Sequence, residues 1–313
     1  MFTATLIAKE GLGDILDDIA YQFEMDFTGF GQLASVDWIE EDVAGDLAFI
    51  PAEGSGSSGF AALAEAIRER SLSIAKGGFR RELALDVIVQ PAERRSKRLL
   101  VADMDSTMIT VECIDELADF AGLKPQVAAV TEAAMRGELD FEAALDARVA
   151  LLAGMDEAVI DRCREERVRL THGARTLVRT MRARRAYCLL VSGGFTRFAE
   201  PVADLIGFDR AMANVLIVED GKLTGAVRRP IIGAEAKREA LLAAAAELGV
   251  GLNAALAVGD GANDLPMIEA AGLGVAYHAK PVLAEAADAR IDHNDLTALL
   301  YAQGIPPAEW VRD

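Results

Sequence analysis

The sequence predicts an α/β protein: a doubly wound parallel sheet with an inserted helical cap, preceded by a small α+β unit. Three observations predict it. Between residues 99 and 279, four continuous apolar runs alternate with helical segments, as expected for strands buried on both faces of a parallel sheet. A long stretch without a good strand, about 111–172, follows the first of these runs. Ahead of them, residues 3–90 alternate in the order βαββαβ.

In the N-terminal part, Thr3–Lys9 reads as a strand and Leu12–Phe23 as a helix by its apolar spacing. Leu33–Glu40 and Gly45–Ala52 read as strands, Gly54–Gly59 (GSGSSG) as a flexible loop, Phe60–Arg70 as a helix and Leu83–Gln90 as a strand. That order is the one of a small ferredoxin-like unit, and the overall pattern resembles the ACT-type regulatory domains, which bind small ligands such as amino acids. The resemblance implies a regulatory or dimerisation unit over residues 1–92, the latter giving a homodimer. Pro91–Arg98 is a polar linker, and residues 93–313 form the second unit. Its buried strands are expected in the apolar run that opens Leu99–Ile109 and at Ala186–Gly194, Ala254–Gly261 and Leu273–Ala279. The Ala-, Glu- and Arg-rich helices of 111–172 should cap the carboxyl edge of the sheet, where ligands sit in open α/β folds. Ala213–Pro230 reads as a hairpin turning at Asp220 and Gly221. Ala234–Gly249 reads as a helix ended by Gly249.

The chain has 313 residues, 32 Lys and Arg against 50 Asp and Glu, and a formal net charge of −18. This excludes a nucleic-acid partner, which needs clustered positive charge. The Met1–Gly11 segment is too short and polar for a signal peptide, and no apolar run is long enough to span a membrane. Cys113, Cys163 and Cys188 are an odd number without metal-ligand spacing; they read as reduced and buried, which suits the cytoplasm. His172, His278 and His293 have no paired spacing, and Trp38 and Trp310 read as packing residues.

The chemistry concentrates at strand ends. Asp103 and Asp105 of DMDST follow the first apolar run. Two carboxylates this close repel unless a divalent cation lies between them or one is protonated. Asp260 and Asp264 of GDGANDLPM sit at the same edge after another apolar strand. Glycines 259 and 261 allow close backbone approach, while Asn263 and Asp264 could equally cap a helix. Ser192, Gly193 and Gly194 end a third strand, as a simple turn or as a cradle for phosphate oxygens. Lys237 stands near a helix start, unfavourably for the helix dipole; it is either solvated or facing phosphate and carboxylates.

In this order, DMDST, SGG, Lys237 and GDGANDLPM match the four motifs of the haloacid dehalogenase superfamily, which the chain resembles from about Arg98 onward. Within it, DMDSTMITVECIDELA (Asp103–Ala118) and VTEAAMRGELDFEAALDARVALLAG (Val130–Gly154) resemble the phosphoserine phosphatase family. The resemblance implies a haloacid-dehalogenase-like fold and hydrolysis of phosphoserine, the last step of serine biosynthesis. It implies Asp103 as nucleophile, Asp105 as general acid and base, and Lys237 with Ser192 and Gly193 on the phosphate. Glu112 would hold the substrate ammonium and Arg148 its carboxylate, with Met135 and Phe141 as an apolar wall. Mg2+ would lie on Asp103, Asp260 and the backbone oxygen of Asp105, supported by Asn263 and Asp264. Such a cation would also supply the local positive charge that an acidic phosphatase needs. Without the resemblance, Glu112 and Arg148 read as surface charges, and Met135 and Phe141 as helix contacts. The alternatives are another small phosphomonoester, phosphate transfer to an acceptor such as homoserine, or a non-enzymatic amino-acid sensor.

Overall fold

The computed structural model describes residues 1–9, 11–25, 30–52, 62–70, 84–135 and 138–312. The GSGSSG loop expected at Gly54–Gly59 lies outside these residues.

A four-stranded antiparallel sheet forms from β1 (Phe2–Ala8), β2 (Gly31–Glu40), β3 (Ala44–Pro51) and β4 (Leu85–Pro91), in the order β2-β3-β1-β4. With helices α1 (Gly13–Met25) and α2 (62–70), it has the βαββαβ arrangement expected of the N-terminal part. Alternation along β1 splits the sheet into two faces. Ala4, Leu6 and Ala8 join Leu16, Ile19, Leu63 and Ile67 in a core with the two helices. Thr3, Thr5 and Ile7 point the other way, as do Asp86 and Ile88 of β4, and this second face is buried too.

The second face is buried against the rest of the chain. Its core is a six-stranded parallel sheet in the order β12-β11-β10-β5-β6-β7. The strands are β5 (Leu99–Ala102), β6 (Tyr187–Phe195), β7 (Arg210–Asn214), β10 (Ala255–Gly259), β11 (Leu273–Tyr277) and β12 (Ala289–Ile291). Leu100 and Ala102 of β5 pack on one side of the sheet with α7 (Ala174–Ala183) and α8 (Thr196–Ile206). Leu99 and Val101 pack on the other with α9 (Ala234–Leu248) and α10 (Leu265–Ala270). Burial on both faces is why these strands read as unbroken apolar runs. β8 (Leu216–Glu219) and β9 (Lys222–Val227) form the expected hairpin. Gly249 closes α9 with a left-handed φ of 63°. Between β5 and β6 stand four cap helices: α3 (Cys113–Phe120), α4 (Lys124–Met135), α5 (Phe141–Ala150) and α6 (Ala158–Arg167). No helix among the described residues is long and apolar enough to cross a membrane. The short strands β7 and β12 extend the sheet beyond the sequence expectation, and α11 (Pro281–Ala286) and α12 (Ala298–Ala302) complete the chain.

Polar bonds tie the two sheets together. Asp86, fully buried in β4, accepts from the backbone N–H groups of Asp292 (2.8 Å), His293 (3.2 Å) and Asn294 (2.9 Å), and from the Asn294 amide (2.9 Å). Arg95 donates to Asp46 at 2.6 Å and to the carbonyl oxygens of Tyr301 (3.0 Å) and Ala302 (3.2 Å). Replacing Asp86 by alanine leaves the 292–294 donors without this acceptor, the buried Asn294 groups among them, at roughly 1–3 kcal/mol for each group that water does not reach. We expect Asp86→Ala to lower unfolding stability by about 2–4 kcal/mol, measured from urea midpoints. A loss below about 1 kcal/mol would mean that this junction is not a fixed part of the fold.

Candidate active site

β5, β6 and β10 are neighbours in the sheet, so their carboxyl ends bring three sequence-distant loops together. Asp103 follows β5 directly, and its N–H donates to the Val258 oxygen of β10 at 3.0 Å. The chain then turns through Ser106, at a left-handed φ of 54°, and closes with a bond from the Ile109 N–H to the Met104 oxygen (3.0 Å). Ser106 Oγ donates to Glu112 Oε1 at 2.7 Å, fixing the residue that caps α3. The polypeptide enters and leaves the cap side by side: Thr110 N–H donates to the Arg169 oxygen, and Thr171 N–H to the Met108 oxygen, both at 3.0 Å.

Beneath these loops lies a buried ion triad. Lys237 is 0% exposed, and its Nζ is 2.6 Å from both Asp103 Oδ1 and Asp264 Oδ1. Of the two readings of this lysine, the structure takes the one that faces carboxylates. Burial works against its charge, but Asp103 and Asp264 more than offset that and hold its pKa above the ordinary lysine range. Asp264 Oδ2 accepts from the N–H groups of Asp260 (3.2 Å) and Gly261 (3.1 Å). Asp264 therefore organises its own loop as well as pairing with Lys237. A Cβ on Gly259 would come within 2.4 Å of Asp264 Cγ, so only glycine fits there.

Above the triad opens a cavity of about 190 Å³. Of the residues singled out by sequence, Asp103, Asp105, Ser192, Gly193, Asp260 and Asn263 line its floor, and Glu112, Phe141 and Arg148 line it from the cap side. Lys237 and Asp264 lie below it, fully buried. The side chain of Met135 lies outside the described residues. Burial, reinforced by Asp264, raises the Asp103 pKa against the pull of Lys237. Burial and the neighbouring Glu112 push Asp105 up to about 7, a value at which a carboxyl both gives and takes a proton near neutrality. Its Oδ1 is buried without a hydrogen-bond partner. Burial raises Asp260 to about 6, with Lys280 opposing. Arg148 is lowered by burial, with Asp115 and Glu112 opposing.

Carboxylate oxygens of Asp103, Asp260 and Asp264 lie within 4.8 Å of one another. This all-oxygen set fits a hard divalent cation. Because Asp264 is committed to Lys237 and two N–H groups, Asp103 and Asp260 are the members left for a metal.

Sequence reasoning missed three residues here. Asn214, at the end of β7, donates to the Gly193 oxygen (2.9 Å) and accepts from the Ile232 N–H (2.7 Å), fixing both the SGG end of β6 and the approach to α9. Lys280 lines the cavity, with its Nζ 3.9 Å from Asp260 Oδ2. Ser106 was passed over within DMDST. Only Lys280 carried a signal, a lone cation just after a buried strand.

Residues 100–269 match the haloacid dehalogenase-like hydrolase family, and the chain belongs to it. Over 229 residues it is 49% identical to a protein of Streptomyces coelicolor named phosphoserine phosphatase, covering 72% of this chain and 56% of that one. It thus spans about half the length of that relative. It is 46% identical to a phosphoserine phosphatase of Polaromonas sp., covering 70% of this chain and 94% of the relative. The crystal structure of a HAD-family hydrolase from Salmonella enterica superposes with a TM-score of 0.80 at 28% identity, covering 96% of this chain and 98% of the other.

The triad generates a prediction. Lys237→Met leaves two buried carboxylates facing each other without a counter-charge, and breaking a buried pair from one side costs about 3–5 kcal/mol. Urea unfolding in the presence of EDTA should show that loss. An unchanged midpoint would mean that Lys237 does not neutralise the pair.

Proposed function

We propose that this chain hydrolyses O-phospho-L-serine to L-serine and phosphate, through an aspartyl-phosphate on Asp103, with Mg2+ as cofactor, as the last step of serine biosynthesis. One observation carries the reading. A single cavity holds the Asp103 carboxylate, a second carboxyl with its pKa near 7, and a Glu112–Arg148 pair of opposite charge on the cap side. The first two suit phosphoryl transfer, and the pair suits a zwitterion. The two named phosphoserine phosphatases support the substrate.

Asp103, Asp260 and the backbone oxygen of Asp105 would hold the Mg2+, with Asp264 in support. When bound, the ion offsets the repulsion between an anionic nucleophile and an anionic phosphoryl group. Lys237 fixes Asp103 through Oδ1, leaving Oδ2 to form the bond to phosphorus. As the phosphorus–oxygen bond to serine breaks, the protonated Asp105 gives its proton to the departing oxygen. Asp105 then takes a proton from the water that cleaves the aspartyl-phosphate, so its state is restored. The Ser192 hydroxyl, the Gly193 N–H and Asn263 hold the phosphate oxygens, while Lys237 acts from below the cavity through Asp103. Arg148 takes the serine carboxylate through paired hydrogen bonds, and Glu112 its ammonium. Phe141 closes the apolar side and excludes water.

Phosphate release from L-phosphoserine, beside a panel of other small phosphomonoesters and with an added acceptor such as homoserine, tests the reading. We expect a strong preference for phosphoserine, dependence on Mg2+, and loss with EDTA. Asp103→Asn should abolish turnover, and normal activity in that variant would sink the mechanism. Arg148→Met should raise KM for phosphoserine more than about tenfold, from the loss of a charge-assisted bond. An unchanged KM would remove Arg148 from the substrate site.

A further inference from the structure

Two lysines face the carboxylates of the catalytic cavity, and they are held in opposite ways. Lys237 is 0% exposed and fixed between two carboxylates at 2.6 Å. Lys280, in the loop after β11, lines the cavity itself. Its side chain is 70% exposed, and its Nζ stands 3.9 Å from Asp260 Oδ2. An ion pair this long and this exposed is weak. The main chain is held better, since the Lys280 N–H donates to the Asp260 carbonyl oxygen at 2.9 Å. The backbone thus keeps the lysine beside Asp260, while its four-carbon stem is free to turn.

The charges around Lys280 change when the cavity fills. Asp103, Asp105, Glu112 and Asp260 line it with carboxyl groups, against the two cations Arg148 and Lys280. Arg148 comes from the cap, so among the described residues Lys280 is the one lining cation on the sheet side. Among the same residues, it is also the one cation within 4.0 Å of the Asp260 carboxylate. Asp260 is one of the two carboxylates left for a metal. A phosphate monoester brings about 1.5–2 negative charges near neutrality.

We propose that Lys280 is an exchangeable counter-ion. It competes with the divalent cation for Asp260, and once the cation holds that carboxylate, its ammonium pairs with the phosphate. The inference rests on the reading of this cavity as a metal-assisted phosphate site, and it adds a phosphate-binding residue to those assigned above. A lysine suits the role, because its ammonium binds phosphate as a compact point charge and needs no fixed fork. The weak Asp260 pair makes the exchange easy. Two effects of opposite sign follow. Removing the charge relieves the metal of a competitor and a repulsive neighbour, and it deprives the phosphate of a partner.

Two titrations of the full chain test this. Mn2+, which takes oxygen ligands as Mg2+ does, is followed through the paramagnetic signal of the free ion, counting the binding that Asp260→Asn removes. Inorganic phosphate is titrated calorimetrically onto protein in saturating Mg2+. Lys280→Met should bind Mn2+ more than about threefold more tightly. It should bind phosphate more than about fivefold more weakly. Lys280→Arg keeps the charge and should stay within about twofold of the unsubstituted chain in both. A lysine that merely braces the Asp260 loop would lower both affinities in the methionine variant, and that result overturns the proposal. So does either affinity left unchanged, or an arginine variant that behaves like the methionine one. An unsubstituted chain that binds no Mn2+ or no phosphate removes the metal-assisted reading and this proposal together. Neither titration measures turnover. A preference for another phosphomonoester would therefore sink the phosphoserine reading and leave Lys280 in its role, and a failure of the two opposite shifts would leave that reading standing.

Discussion

The catalytic architecture depends on the buried contact between Lys237 and two carboxylates. An ammonium without access to water is tolerable only because Asp103 and Asp264 each lie 2.6 Å from it. The triad still carries one net negative charge under a cavity edged by further acids, a charge that a divalent cation offsets. Its geometry fixes three chain segments at once. Lys237 belongs to α9, Asp103 to the end of β5, and Asp264 to the loop after β10. Asp264 passes the constraint on through two N–H bonds to Asp260 and Gly261. Under the proposed function, a nucleophile held on one oxygen by a fixed charge needs little reorganisation when the phosphoryl group arrives.

The cap supplies a separate part of the cavity. Glu112, Phe141 and Arg148 reach it from the segment inserted between β5 and β6, whereas Asp103, Ser192 and Asp260 reach it from the sheet, so under the proposed function the substrate's ends and its phosphate meet different elements. The two are joined by the paired segments around 109–110 and 169–171, and by the Ser106–Glu112 bond. That bond links the turn bearing Asp105 to the first cap helix. It places Glu112 close enough to raise the Asp105 pKa along with burial, so in the proposed mechanism the carboxylate assigned to an ammonium also tunes the group assigned as proton donor.

Much of this was legible in the sequence, for a physical reason. A strand buried on both faces must be apolar throughout, so a carboxylate, serine or glycine at its end stands out. Asp103, Ser192 and Asp260 were found in this way. The edge strands were not. β7 carries Arg210 and Asn214, and β12 has three residues, so neither offers an apolar run. Lys237 announced itself by an awkward position against the helix dipole, whereas Glu112 and Arg148 look like any helix-surface charges until the fold turns them inward. Asp86 was the overlooked clue in the N-terminal part: a carboxylate in the middle of LALDVIVQ cannot be buried without donors from elsewhere.

That carboxylate shows how the two sheets are related. An isolated βαββαβ unit needs one apolar face for its helices, and its other face can meet water. Here the other face is buried, yet it carries Thr5, Asp46, Asp86 and Gln90. Such groups are stable in the interior only when paired, and the partners come from across the junction. Gln90 donates to the Ala302 oxygen at 2.6 Å, and Asp86 accepts from residues 292–294. The same 292–294 segment places the Asn294 oxygen 3.0 Å from His278 Nε2. His278 holds a left-handed φ of 43° two residues before Lys280, which binds the Asp260 oxygen. Hydrogen bonds and the short 278–280 segment thus connect edge strand β4 of the antiparallel sheet to the loop that carries Asp260. The directional demands of these pairs fix the placement of the N-terminal sheet in a way that an apolar contact, which tolerates sliding, would not.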